Sequence, residues 1–349
     1  MYPALANTGY LRRRAHHGAF CTLTYHGVLP AGYKSSDPHQ DGCLVSTKNL
    51  RAQLGLLKEI YHIVSPEDVR EWISGAGELP ERSVLVTCDD GLRNSLTDMA
   101  PILAEEAVSC LFFVLGASSL EGSAALWYER LYRMLQVAPQ GNYSFDLPDS
   151  HLPRLVLDLT DPAARRAVWW SLVNTLSQYD QAFRTDFIET ARRKFGSHGS
   201  WETVEWDNAQ HRRFGLLRAK DLRQLVDMGM SIGSHTLNHP VLSQQPSELA
   251  WEEIAKSRSV VEKATGKPVW ALAYPYGDPT SVTAREMQMA EQAGYECAFM
   301  NVGGGFGAAL PRFAMPRVHV TAGMELAEFE AHISGFHRDF RARLRGEAL

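Results

Sequence analysis

The stretch VTCDDGLRN, Val86 to Asn94, ends an apolar run with two adjacent carboxylates, Asp89 and Asp90, followed by a glycine. Like charges in one partly buried place repel, and each loses hydration. A cation, a set of hydrogen bonds or water at a loop tip must offset that cost. The run before them, Ser83 to Cys88, is short and continuous, as in a strand covered on both faces.

The same arrangement recurs along the chain. Apolar runs stand at Phe20–Tyr25, Ser109–Gly116, Met230–His235, Val269–Gly277, Cys297–Val302 and Phe313–Val320. Between several of them the pattern turns helical. Ser95 to about Ala107 reads as a helix that Pro101 starts or kinks. Glu248 to Thr265 carries an apolar stripe at Ala250, Ile254, Val261 and Ala264, with Ser247 as its expected N-cap and Gly266 and Pro268 as its stop. Thr283 to Gly294 reads as a further helix. Strands alternating with helices imply βα units and a mainly parallel sheet, either a barrel or doubly wound. Both place ligands at the C-terminal strand ends. His26, Asp89, Asp90, His235 and Tyr276 all follow an apolar run. Residues from about 120 to 215 break this rhythm and read as a mainly helical insertion in a single domain spanning 1–349.

Composition narrows the function classes. With 35 basic and 40 acidic residues the net charge is −5, which offers no nucleic-acid surface or polybasic membrane patch. Five scattered cysteines without CxxC spacing argue against a disulfide framework or a cysteine zinc site. No apolar stretch approaches a membrane span. With no leader-like segment before the N-terminal arginines, a cytoplasmic protein is expected.

The stretch SHTLNHP, Ser234 to Pro240, holds His235 and His239. Four residues apart, they share a face if helical, and a tight turn at a strand exit also brings two rings to one point. Two histidines and a carboxylate form a common facial ligand set for a divalent metal.

Taken in order, Thr87-Cys88-Asp89-Asp90-Gly91, His235-Thr236-Leu237-Asn238-His239 and Ala273-Tyr274-Pro275-Tyr276-Gly277 resemble the three leading motifs of the polysaccharide deacetylases of carbohydrate esterase family 4, the NodB-homology domain. The resemblance covers roughly Ala19–Gly116 and Leu217–Val320. It implies a distorted (β/α) barrel and a metal-dependent hydrolase removing N-acetyl groups from amino sugars of a polysaccharide or glycan intermediate. Two departures stand out. The third-motif arginine is replaced by Ala273, and no C-terminal L-x-H is evident. One branch, resembling the poly-N-acetylglucosamine deacetylases, carries an early Tyr-His motif instead, matched by Tyr25-His26.

The resemblance implies Asp90, His235 and His239 as metal ligands, with zinc the default and cobalt, nickel or iron alternatives. It implies Asp89 as general base, the Tyr276 backbone N–H as oxyanion donor, and His26 as general acid with His319 competing. Arg317 is the candidate to replace the missing arginine. Among the insertion tryptophans, Trp127, Trp169, Trp170, Trp201 and Trp206, the one expected to meet an N-acetylated glycan is Trp127. His16, His17 and His211 read as solvated. Two other readings stay open: hydrolysis of another small acyl group (an O-acetyl ester, a formamide or a cyclic imide), or glycan binding without turnover.

Overall fold

The computed structural model describes residues 1–14, 20–35, 37–38, 40–120, 125–146, 154–196, 206–303 and 310–346. His16, His17 and Trp201 lie outside them. The strands are β1 (Phe20–Tyr25), β2 (His62–Ile63), β3 (Ser83–Cys88), β4 (Leu111–Val114), β5 (Asn142–Asp146), β6 (Arg154–Asp158), β7 (Ser231–Ser234), β8 (Ala271–Ala273), β9 (Cys297–Phe299) and β10 (Val318–His319).

Seven of them form a curled parallel sheet in the order β10-β1-β3-β4-β7-β8-β9, with β2 pairing beside β3. The alternating pattern allowed a barrel or a doubly wound sheet, and the structure is the distorted (β/α) half-barrel that the family resemblance implies. All six residues of β1 and all six of β3 are buried, as parallel strands covered on both faces require. On the helix side, Val84, Val86 and Cys88 join Leu50, Leu54 and Ile254 in the main core. On the inner side, Leu85 joins Phe113, Ala271, Ala273 and Phe299. This period of two sends Leu85, Thr87 and then Asp89 toward the barrel interior. The next residue, Asp90, leaves the strand.

The expected helices are present with shifted ends. A π-helical turn, Ser95–Met99, runs into the α-helix Ala100–Glu105, with Pro101 in its first turn. Ser247 begins the helix Ser247–Thr265, and Pro246 occupies the cap position without a side-chain bond. A proline N-terminal to the first turn already sets the chain direction there. The helix Ala284–Gln292 starts from a capping box of Thr283 and Glu286. Between β4 and β7 the chain forms the helices Trp127–Val137, Pro162–Leu176, Gln181–Phe195 and Asn208–Phe214, together with the antiparallel hairpin β5–β6. Leu131, Leu135, Phe145, Trp169, Leu172 and Phe187 give this segment a core of its own. All five cysteines are unpaired. No helix among the described residues is long and apolar enough to cross a membrane.

Candidate active site

Strand register brings the candidate residues together. Thr24 of β1 lies opposite Thr87 of β3 on one side and His319 of β10 on the other. The Asp89 N–H donates to the Tyr25 carbonyl at 2.8 Å, and the His235 N–H to the Val114 carbonyl at 2.9 Å. The ends of β1, β3, β7, β8 and β9 thus meet around one cavity of about 340 Å³, lined by His26, Asp89, Asp90, His235, His239, Tyr276 and Asn301 among others.

Backbone strain concentrates there. Among the described residues, six that are not glycine have positive φ, and four of these are Asp90 (71°), Thr236 (65°), His239 (57°) and Tyr276 (62°). Such conformations cost on the order of 1–3 kcal/mol each and persist only when surroundings over-determine them. Here those surroundings are visible. The Glu253 carboxylate accepts from the N–H groups of Leu237 and Asn238 at 2.9 Å each and from the Asn238 amide at 2.7 Å. Thr236 Oγ1 accepts from the His239 N–H at 3.2 Å. Asn94, the last residue of the opening stretch, accepts from the Val28 N–H at 3.0 Å. Gly27, with φ of 109°, makes room for this: a Cβ there would lie 2.1 Å from Asn94 Oδ1.

The two adjacent aspartates diverge. Asp90 Oδ1 lies 3.5 Å from His235 Nε2 and 3.3 Å from His239 Nε2, with all three residues buried. Burial opposes ionisation of Asp90, but the hydrogen bonds with His235 and His239 hold its carboxyl well below the usual range. His235 donates through Nδ1 to the Ala273 carbonyl at 2.7 Å. That bond fixes the orientation of the ring and turns Nε2 toward Asp90. A carboxylate and two imidazoles, each offering one ligand atom within 4.8 Å of the others, form a donor set that fits zinc or a similar divalent ion. Tyr128 donates to the second oxygen, Asp90 Oδ2, at 3.3 Å.

Asp89 takes a different partner. Arg317 donates to both of its oxygens, at 2.7 and 2.6 Å, and also to Thr87 Oγ1 and the Met300 carbonyl, each at 3.2 Å. The guanidinium is fully buried and faces the Phe113 and Phe299 rings at 5.4 and 5.9 Å. Burial opposes ionisation of Asp89, but the charges of Arg317 and His235 and the Arg317 hydrogen bonds lower its pKa.

His26 and His319 pack ring against ring, with centroids 4.8 Å apart. Burial, then the His26 ring, push His319 down to about 3. Trp127 does not line this cavity. Its indole N–H donates to Tyr276 Oη at 3.2 Å, and it borders a smaller neighbouring cavity. The reason is that Tyr276, turned by its positive φ, stands between Trp127 and His239, with rings 5.0 Å apart on the histidine side. Trp169 is buried and donates to the Tyr128 carbonyl at 2.9 Å. The aromatic left at the cavity mouth is Trp170, 56% exposed.

Sequence reasoning missed one wall. Arg213 donates to Glu129 Oε1 and Asp41 Oδ1 at 2.6 Å each, and to the Gln40 carbonyl at 3.1 Å. Burial pushes Glu129 up to about 7 despite Arg213, with Asp90 and Asp41 adding to the rise. Glu129 Oε2 and both ends of the buried Gln40 amide have no partner among the described residues. The available signal was faint: a lone glutamate in the apolar stripe of LWYERLYRML.

The polysaccharide deacetylase family model matches residues 156–298, which includes His235, His239 and Tyr276 but not Asp89, Asp90 or Arg317. YxkH of Bacillus subtilis (strain 168) is 26% identical over 117 residues, 34% of this chain. The match spans 41% of that relative's length. The Streptococcus pyogenes deacetylase PplD, solved with acetate, superposes with a TM-score of 0.58 at 17% identity, over 91% of this chain and 99% of PplD. IcaB from Ammonifex degensii gives 0.54 at 17%, over 91% and 97%. A de-N-acetylase from Aggregatibacter actinomycetemcomitans gives 0.55 at 13%, over 90% and 99%. At these identities the structures attest the barrel, and the chemistry rests on the residues themselves.

Proposed function

We propose, from the premise that this chain carries a polysaccharide deacetylase domain, that it hydrolyses N-acetyl groups from amino sugars of a glycan with the help of a divalent metal. The observation that carries the reading is the division between adjacent carboxylates. Asp90 faces two imidazoles, whereas Asp89 is gripped by Arg317, in one cavity. A ligand and a base need different partners, and here they have them.

In this reading Asp90, His235 and His239 hold the cation, zinc by donor type. A divalent ion there supplies Lewis acidity toward the acyl carbonyl and acidifies water at neutral pH. Asp89 accepts the proton of the attacking water, and Arg317 keeps it ionised and oriented. The Tyr276 backbone N–H stabilises the oxyanion. His26 delivers a proton to the departing amine, a leaving group that needs one. Imidazole is the side chain whose ordinary titration suits that step near pH 7. His319 sits against His26 and limits the ways its ring can turn.

The test is acetate release from a panel of N-acetylglucosamine oligomers and O-acetyl esters, with chelated protein and with zinc or cobalt restored. Metal-dependent release from an amide supports the deacetylase. Release only from esters moves the activity to another acyl group. Glycan binding with no release from any member overturns the hydrolase reading in favour of a binding protein.

A further inference from the structure

Beside the Asp90 triad lies a second group of donors that the proposed hydrolysis does not use as ligands. His26, Cys43 and His319 each offer one ligand atom within 4.8 Å of the others. Each comes from a different part of the fold: the end of β1, the loop leading to the helix Thr47–Ile60, and β10. His26 Nδ1 and His319 Nε2 are both buried and have no hydrogen-bond partner among the described residues. A buried ring nitrogen without a partner gives up roughly 1–3 kcal/mol of lost hydration, so two on adjoining rings call for a partner. A proton shared between the two nitrogens in an N–H···N bond would satisfy both, but the rings make no such bond. A metal satisfies both, and it also explains why a thiol stands at the same place.

We propose that His26, Cys43 and His319 form a second, weaker divalent-metal site of nitrogen and sulfur donors, and that filling it stops turnover by withdrawing His26 from proton transfer. The site selects for soft and borderline ions. Two neutral imidazoles and a thiolate suit zinc and cobalt, while magnesium and calcium prefer oxygen ligands. It is weaker than the Asp90 triad because the thiol, ordinarily protonated at neutral pH, must release its proton on binding. Cys43 is exposed, so the ion has a path in from solvent without entering through the Asp90 triad. The inhibitory half rests on the role given above to His26, whereas the site itself does not.

Cobalt titration of the chelated protein tests the site directly, because a thiolate ligand gives cobalt a charge-transfer absorption that carboxylate and imidazole ligands do not. The first equivalent is expected to bind without that band and the second to produce it. Cys43→Ser removes the band and leaves the first equivalent intact. No band at saturating cobalt overturns the site. Activity then tests the consequence: excess zinc slows the native enzyme, and Cys43→Ser needs at least about 10-fold more zinc for the same loss, since losing a ligand costs no less than losing a partner of one. Equal zinc sensitivity of the two proteins overturns the inhibitory role. A thiolate band at the second equivalent in a protein that releases acetate from nothing even at the first equivalent overturns the deacetylase reading and upholds the second site.

Discussion

The Arg317 guanidinium binds both oxygens of Asp89, at 2.7 and 2.6 Å, inside the barrel between the Phe113 and Phe299 rings. The third-motif arginine that the family resemblance leads one to expect just before the Tyr-Pro-Tyr turn is absent here, and Ala273 takes its place. The contact arrives instead from the residue preceding β10, two strands from β3 across β1. Geometry at the carboxylate, rather than position in the chain, is what a base requires. Replacing Arg317 with methionine leaves a buried carboxylate unpaired, at a cost of about 3–5 kcal/mol. Arg317→Lys keeps the charge but loses the two-pronged grip. Chemical denaturation is expected to show a large loss for the methionine variant and a smaller one for lysine, with turnover reduced in both. Unchanged stability in Arg317→Met would mean that the pair contributes nothing to holding Asp89.

The division of labour between the adjacent aspartates predicts opposite behaviour in two isosteric variants. Asp90→Asn is expected to lose both bound metal and acetate release. Asp89→Asn is expected to keep its metal and lose at least ~100-fold in rate, the scale of a general base. Metal content by atomic absorption, read beside the rate, separates the two. An Asp89→Asn protein with near-normal turnover would take the base away from this position.

Much of this site was legible in the sequence because it sits where the backbone leaves a strand. His26, Asp89, Asp90, His235 and Tyr276 each follow a continuous apolar run, and parallel topology then forces those ends to one side of the sheet. Arg317 was legible only as a candidate, since nothing local to FAMPRVHV says which way its side chain points. The wall of Gln40, Glu129 and Arg213 was not legible. Its members come from three distant segments, and burial, not spacing, is what marks them. The hairpin β5–β6 was missed for a related reason. Burial alternates along Arg154–Asp158, and Tyr143 and Phe145 alternate with polar neighbours, but each strand is only five residues long, too short a period-two signal to stand out in a stretch dominated by helical patterns. Trp127 borders the neighbouring cavity instead, because following a strand end says nothing about which side of Tyr276 an indole will occupy.

Acid pH should weaken the fold through the C-terminal helices, away from the active site. His332 stacks on His337 with centroids 3.9 Å apart, and burial, then that neighbour, push it down to about 4. The Glu328 carboxylate faces His332 at 4.0 Å, and the Tyr2 hydroxyl lies 2.6 Å from His337 Nδ1. The unfolded chain takes up a proton at this histidine below about pH 6.5, but the folded chain resists it. The contribution is therefore complete above that pH and is lost as pH falls toward the folded value. Melting temperatures of the chelated protein are expected to drop from neutral to mildly acidic pH, and to drop less in His332→Phe. Identical pH profiles would remove His332 as the cause.

Gln40 and Glu129 line the same cavity as Asp89; Arg213 holds Glu129 Oε1 and the Gln40 main-chain carbonyl, while Glu129 Oε2 and the Gln40 side-chain amide are buried with no partner among the described residues. Buried polar groups without partners are costly, and a sugar supplies what they lack: hydroxyls that both donate and accept. Trp170 at the mouth adds an exposed indole face, the kind of surface on which a pyranose ring lies. Gln40→Met keeps the volume of the side chain and removes both hydrogen-bonding ends. Its effect should appear in KM for N-acetylglucosamine oligomers, raised roughly tenfold if one or two hydrogen bonds to substrate are lost. A small aryl acetate, which has no hydroxyls to recognise, should be hydrolysed at the native rate by the same variant. Trp170→Ala is expected to penalise longer oligomers more than the monosaccharide, because only a chain that leaves the cavity can reach it. Equal losses on the oligomer and the aryl acetate would show that Gln40 supports the fold of the site and does not read the sugar.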